Sequence, residues 1–235
     1  MVKNASTLQS SFLNGNQRDQ GFRNLGGEAS TRFNAMGTET HYVRGGTLLA
    51  EGEMPQYIFI VRSGRIKISV TSRDGKTIIL RIAEAGYVLG LSAALSGSQH
   101  EVSAEALEPC SVTAIPVNDF LGLLARYPEA AMEATRWVLK EYQLVFSDVC
   151  RLALPTTVAG RLANLLLDWR KTGHQGQVNP RFTMSLTQEE IAGMTGTSRE
   201  TVSRVLQQFQ REKLISIKGS SLTVLQPQAL QQLAA

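Results

Sequence analysis

The spacing of apolar positions changes character along this chain, and each change marks an element. From about His41 onward, short apolar runs are punctuated by Gly52, Gly64, Gly75, Gly86 and Gly90, the rhythm of an antiparallel β meander. Tyr57–Arg62 reads as a strand turned by Ser63-Gly64. Arg65–Val70 alternates polar and apolar residues, which predicts one wet and one buried face. Asp74-Gly75 is a hairpin signal before Thr77–Ile82, and Val102–Ala106 and Cys110–Ile115 supply further strands. The middle of the chain is therefore expected to be a β barrel or roll.

After Pro116 the period becomes helical. Asn118 is expected to cap a short helix around Phe120–Leu124, and Pro128 sits where a first helical turn tolerates proline. A long helix then runs from Ala131 to about Leu154, with Ala131, Thr135, Val138, Tyr142, Val145, Val149 and Leu152 recurring alternately four and three residues apart. That is a heptad seam, and a seam asks for a partner helix. The seam thus predicts a homodimer; the alternative is one helix lying on its own domain's core. A second stripe, Leu139, Phe146 and Cys150, is expected to face the roll. Leu154-Pro155-Thr156-Thr157 breaks the helix, Val158, Leu162, Leu165, Leu166 and Trp169 begin another that ends near Gly173, and His174–Asn179 form a polar loop. Residues 1–38 are rich in Asn, Gln, Ser and Gly, a composition that buries too little to order itself. The expected organisation is a mobile arm over 1–38, with partial docking as the alternative, a β-roll domain over 39–128, a dimerisation helix over 129–154 and a C-terminal domain over 155–235.

The C-terminal stretch Leu186–Leu206 carries the chemistry. Thr187 with Glu190, and Thr197 with Glu200, read as capping boxes, and Gly196 supplies the tight turn that two such close helix starts require. With Ile191, Ala192, Val202, Val205 and Leu206 facing inward, this is a helix-turn-helix whose second helix is free to enter a major groove. Arg199 and Arg204 have the planar forks that match guanine, and Glu200 can accept from cytosine. Thr187, Gln188, Ser198, Thr201, Ser203 and Lys218 are candidate phosphate contacts, joined by the helix N-terminal amides. Leu214–Ile217 and Ser221–Leu225 add a hairpin wing with Lys218-Gly219-Ser220 at its tip.

Charge agrees with this assignment. Residues 1–154 hold fifteen basic and fifteen acidic side chains, so the whole +4 of the chain (nine basic, five acidic) lies in residues 155–235. A basic C-terminal part on a neutral body points to a polyanion, and the helix-turn-helix specifies double-stranded DNA.

The β roll, the long helix and the motif Gly196-Thr-Ser-Arg-Glu-Thr-Val-Ser-Arg204 together resemble the CRP/FNR superfamily of bacterial transcription regulators, over roughly residues 41–228. The resemblance implies an α+β fold: a cyclic-nucleotide-binding-like β roll (double-stranded β-helix or jelly roll), a dimerisation helix and a winged helix. It also implies a cytoplasmic homodimer that binds a TGTGA-like palindrome through Arg199, Glu200 and Arg204, meeting RNA polymerase if it activates. The family's phosphate-contacting arginine in the first helix is Gln188 here.

The same resemblance places an effector pocket at Gly90, Leu91, Ser92, Glu101, Val102, Ser103, Val145 and Phe146. Leu91 stands where cyclic-nucleotide binders have a ribose-binding glutamate, Glu101 stands where the cyclic phosphate needs countercharge, and Val145 and Phe146 replace polar residues that meet adenine. Control by cyclic AMP in the usual manner is not expected; a more apolar small-molecule effector, or none, fits better. The alternative is a regulator responsive to a cyclic nucleotide, or to haem and gas through His41 or His100. No other cofactor is expected, since the arm has no cysteine to hold an iron–sulfur cluster, and Cys110 and Cys150 read as small hydrophobes. An enzyme is not expected either: His41, His100 and His174 are scattered, which argues against a metal site, and Gly90-Leu-Ser-Ala-Ala94 lacks the second glycine of a nucleophile elbow. No run approaches the ~20 apolar residues of a membrane span.

Overall fold

The computed structural model describes residues 22, 25–154, 157–172, 181–183, 186–219 and 221–234. The Pro155-Thr156 break, the His174–Asn179 loop and most of the arm lie outside the described residues. Chain contacts divide the described residues into a unit ending at Ser147 and another beginning at Asp148.

The first unit runs α1 (Gly27–Met36), β1 (Thr38–Tyr42), β2 (Thr47–Leu49), β3 (Tyr57–Ser63), β4 (Ile66–Thr71), β5 (Thr77–Ala83), β6 (Val88–Leu89), α2 (Leu91–Ser96), β7 (Ser103–Ala106), β8 (Cys110–Pro116), α3 (Val117–Arg126) and α4 (Pro128–Ala153), the last crossing into the second unit. Its strands form two antiparallel sheets, ordered β1-β8-β3-β6 and β2-β7-β4-β5. Together they make the expected roll. β3 explains why its sequence is a continuous apolar run and not an alternating one, because both faces of its sheet are covered. Phe59 and Val61 pack with Ile66, Ile68, Ala104 and Val112 between the sheets. Ile58 and Ile60 face a second core against Phe120, Ala134 and Trp137 of the helices. The Ser63-Gly64 turn needs glycine twice over: φ is +83° there, and a Cβ would stand 2.6 Å from Cys110 Cβ.

Several expectations change at this level. The arm expected over residues 1–38 contains the helix α1, and Phe22, Leu25, Ala29 and Phe33 are buried in the helical core. Phe22 lies 4.9 Å from the Phe33 ring centroid and 5.2 Å, edge-on, from Phe120. A few apolar residues in a polar stretch suffice because their partners come from α3, far along the chain. In β4 the alternation is broken by a bulge between Ile68 and Ser69, which buries Ser69 and leaves Val70 half-buried. Pro116, not Asn118, precedes α3, and Asn118 falls within its first turn. Finally, the stripe of α4 that meets the roll is Ala130, Ala134 and Trp137; Leu139 and Phe146, expected there, are exposed.

The second unit continues with α5 (Val158–Thr172), β9 (Arg181–Thr183), α6 (Gln188–Thr195), α7 (Arg199–Arg211), β10 (Ile215–Lys218), β11 (Ser221–Val224) and α8 (Pro227–Ala234). The wing is a three-stranded sheet, β10-β11-β9, in which β9 is a strand the sequence pattern did not reveal. Leu162, Leu166, Ile191, Val202, Phe209 and Leu222 are fully buried in this unit. Among the described residues no helix is long and apolar enough to cross a membrane.

Candidate nucleic-acid interface and sensor cavity

The helix-turn-helix is built by its caps. Thr187 Oγ1 accepts from the Glu190 amide at 3.2 Å, while the Thr187 amide donates to Glu190 Oε2 at 2.6 Å, a complete capping box. α6 ends at Gly196, whose φ of +63° closes the turn. The cap of α7 is one residue later than the sequence reading placed it: Ser198, not Thr197, is the N-cap, accepting from the Thr201 amide at 3.3 Å. Ser198 and Thr201 also share a hydroxyl hydrogen bond at 3.2 Å.

This cap decides what α7 presents. At about 100° per residue, Arg199, Ser203, Glu200 and Arg204 fall within an arc of roughly 140°. Val202, Val205, Leu206 and Phe209 are buried on the other side, while Arg199, Glu200 and Arg204 are all exposed. The Glu200 carboxyl is held below the usual carboxylate range by its own backbone amide and the Ser198 hydroxyl, so it is ionised and acceptor-only at neutral pH. Thr187 and Ser198 are exposed at the N-termini of α6 and α7, Thr201, Ser203 and Gln188 are half-buried beside them, and Lys218 is exposed at the end of β10. The Thr187 hydroxyl accepts within the protein and keeps its own proton to donate.

Two arginines that sequence reasoning passed over hold α6 in place. Arg151, in the last turn of α4, is only 8% exposed and donates from Nη1 to the Met194 carbonyl at 2.5 Å and from Nη2 to Asp148 Oδ1 at 3.3 Å. Arg161 of α5 donates from Nε to the Thr195 carbonyl at 2.7 Å. Both carbonyls belong to the last turn of α6, where a helix has no internal donors to offer. No local pattern marks these residues; the signal exists only once the elements are assembled.

In the first unit a cavity of about 310 Å³ lies between the roll and α4. Of the residues assigned to an effector pocket, Gly90, Ser92, Glu101, Val102 and Val145 line it. Leu91 points into the helical core, and Ser103 accepts from the Glu51 amide at 3.1 Å. Phe146 is 59% exposed and is not part of the lining. The cavity adds residues the pattern did not single out for it. Arg81 donates to the Tyr87 hydroxyl at 3.2 Å, and Ser92 Oγ donates to Glu141 Oε2 at 2.9 Å. His100 is 7% exposed, and burial holds its imidazole below the usual range, Glu53 opposing. His41 is exposed on β1. Cys110 is buried between the sheets, which pushes its thiol up.

Of the expected dimer-interface residues, Tyr142, Val145 and Val149 are exposed at 68%, 44% and 55%. Val138 and Leu152 are half-buried. Leu139 and Phe146 join the exposed set, so α4 carries a contiguous apolar surface of the kind that marks an interaction site.

Comparison with known proteins follows the same division. Residues 39–127 match the model of the cyclic nucleotide-binding domain, and residues 160–233 match that of the Crp-like helix-turn-helix domain. The chain is 27% identical over 213 residues to the probable transcriptional regulator flp of Lacticaseibacillus casei, covering 91% of this chain and 94% of the relative. It is 29% identical over 192 residues to the fumarate and nitrate reduction regulatory protein of Vibrio cholerae, covering 81% and 76% respectively. Among solved structures, FixK2 from Bradyrhizobium japonicum shares the fold at a TM-score of 0.74 and 22% identity, covering 85% of this chain and 98% of that one.

Proposed function

The chain belongs to the CRP/FNR superfamily of bacterial transcription regulators, and from that premise we propose that it works as a homodimer on a TGTGA-like palindrome, without control by cyclic AMP. Members of this superfamily are DNA-binding transcription regulators and not enzymes; among the described residues no group of three potential ligands is placed to hold a metal ion.

The observation that carries the proposal is the face of α7. Arg199 and Arg204 offer bidentate donors to guanine and the ionised Glu200 an acceptor to cytosine, all from the exposed side of one helix start. Glu200 leaves its own helix N-terminus to reach a base, and a phosphate or water takes its place at the amides. Thr187, Gln188, Ser198, Thr201, Ser203 and Lys218 contribute positioning and not sequence. Two such helices one DNA turn apart require a dimer, and the exposed row Tyr142, Val145 and Val149 is the surface that supports one. Leu91, turned into the core, and Glu101, at the cavity wall, support the reading against cyclic AMP.

Selection of bound duplexes from a random DNA pool tests the proposal. The expected product is a two-fold repeat with TGTGA-like arms; enrichment of single half-sites, or of none, refutes it. Calorimetric titration with cyclic AMP is expected to show no binding, and a micromolar constant overturns the reading of Leu91 and Glu101.

A further inference from the structure

We propose that the sensor cavity takes a small molecule with an apolar body and one cationic amine head, seated between the apolar wall of the roll and the acceptors His100, Glu101 and Glu141. Leu49, Ile68, Leu80, Leu89 and Val102 make one side of the cavity apolar, which suits the body of a drug-sized ligand. The lining also carries Arg81, Glu101 and Glu141, and with both carboxyls ionised it is net negative by one. The Arg81 guanidinium is already engaged with the Tyr87 hydroxyl at 3.2 Å. An anionic ligand entering here meets two carboxylates and one committed cation.

An independent observation points to a ligand. The His100 side chain is more than nine-tenths buried against this cavity, yet its imidazole has no hydrogen-bond partner among the described residues. Gly90, at φ +79°, allows this placement, since a Cβ there would stand 3.3 Å from His100 Cε1. A buried polar group without a partner is uncommon and calls for an occupant. A neutral imidazole offers one acceptor nitrogen and a carboxylate offers more, whereas an ammonium brings three donors and no acceptor. Burial holds the Glu141 carboxyl above its ordinary range, with Ser92 and Arg81 opposing and Glu101 adding to it; a bound cation adds countercharge that favours the ionised form.

The ligand's control of DNA binding rests on the regulator reading, but its binding does not, so the two are measured apart. The test uses the full chain without DNA, titrated with phenethylamine, 2-phenylethanol and phenylacetate, which share a body and differ in head charge. The amine is expected to bind at least about tenfold more tightly than the alcohol, with no saturable binding of the carboxylate. Glu141→Gln, and Glu101→Gln as the exposed variant least able to disturb folding, are each expected to shrink the ratio of amine to alcohol affinity, the amine losing more than the alcohol. The proposal is overturned if the amine does not bind, if the carboxylate binds as well, or if the preference survives in the double variant with native circular dichroism. A separate arm measures operator affinity with and without the amine; an unchanged operator affinity refutes control by this ligand while leaving the site intact.

Discussion

Removing Arg151 tests whether the helix-turn-helix is held from behind as the structure indicates. The side chain is 8% exposed and spans the Met194 carbonyl, at 2.5 Å, and the Asp148 carboxylate, at 3.3 Å. Arg151→Met keeps much of the apolar stem but takes the charged donor from the carbonyl and the guanidinium contact from the carboxylate, whose side chain is 14% exposed. A hydrogen bond to a charged group is worth about 1.5–3 kcal/mol, and stripping one partner from a buried pair costs about 3–5 kcal/mol. Asp148 keeps some contact with water, so the expected loss is about 2–4 kcal/mol. For a unit of this size that lowers its Tm by at least about 8 °C. Urea unfolding followed by circular dichroism reads the loss directly. Arg151→Lys is expected to recover no more than part of it, because an ammonium lacks the planar fork that reaches both partners. In a double-mutant cycle with Asp148→Asn the coupling is expected at about 1–3 kcal/mol. If Arg151→Met stays within about 0.5 kcal/mol of the unmodified protein, or the cycle shows no coupling, Arg151 does not hold α6 and the account of how the motif is positioned fails.

The remaining predictions concern recognition, assembly and pH. Arg199→Ala and Arg204→Ala are each expected to cost about 1–3 kcal/mol on the selected operator and much less on random duplex in a mobility-shift titration; equal loss on both shows that they meet only phosphate. Tyr142→Glu combined with Val149→Glu is expected to yield monomers in sedimentation equilibrium at micromolar concentration, and a persistent dimer refutes the seam. Glu141 is held above its ordinary value in the folded chain, so the folded state favours its protonated form and loses stability relative to the unfolded chain as pH rises through that raised value. Glu141→Gln is therefore expected to gain Tm against the unmodified protein at about pH 8 and to lose that advantage at about pH 4; a pH-independent difference refutes it.

Sequence pattern and observed structure agree most closely where partners are local. Thr187 and Glu190 cap within one turn, Gly196 adopts the positive φ its place requires, and the glycine-punctuated runs give strands within a residue or two of their expected ends. The box at Thr197 misses by one residue because Ser198 offers the same chemistry one position on, and only backbone geometry chooses between neighbouring hydroxyls. Phe22 and Phe33 lay in a stretch too polar to suggest a core, since hydrophobic patterning counts neighbours in sequence and their partner Phe120 is distant.

By itself, then, the sequence determined most strands of the roll, the long helix and the two helices of the helix-turn-helix, their order, the exposed polar face of α7 and the concentration of positive charge in the C-terminal part, all of which depend on spacing and residue type. Tertiary structure decided which stripe of α4 is buried and which is left exposed, which hydroxyl caps α7, and which arginines hold the carbonyls of α6. It also decided that Arg81, His100 and Glu141, sixty positions apart at the extremes, line one cavity. The reason is physical: caps and periods are written in contacts a few residues apart, whereas burial, unmatched charge and a cavity are properties of surfaces that exist only after distant segments have closed on one another.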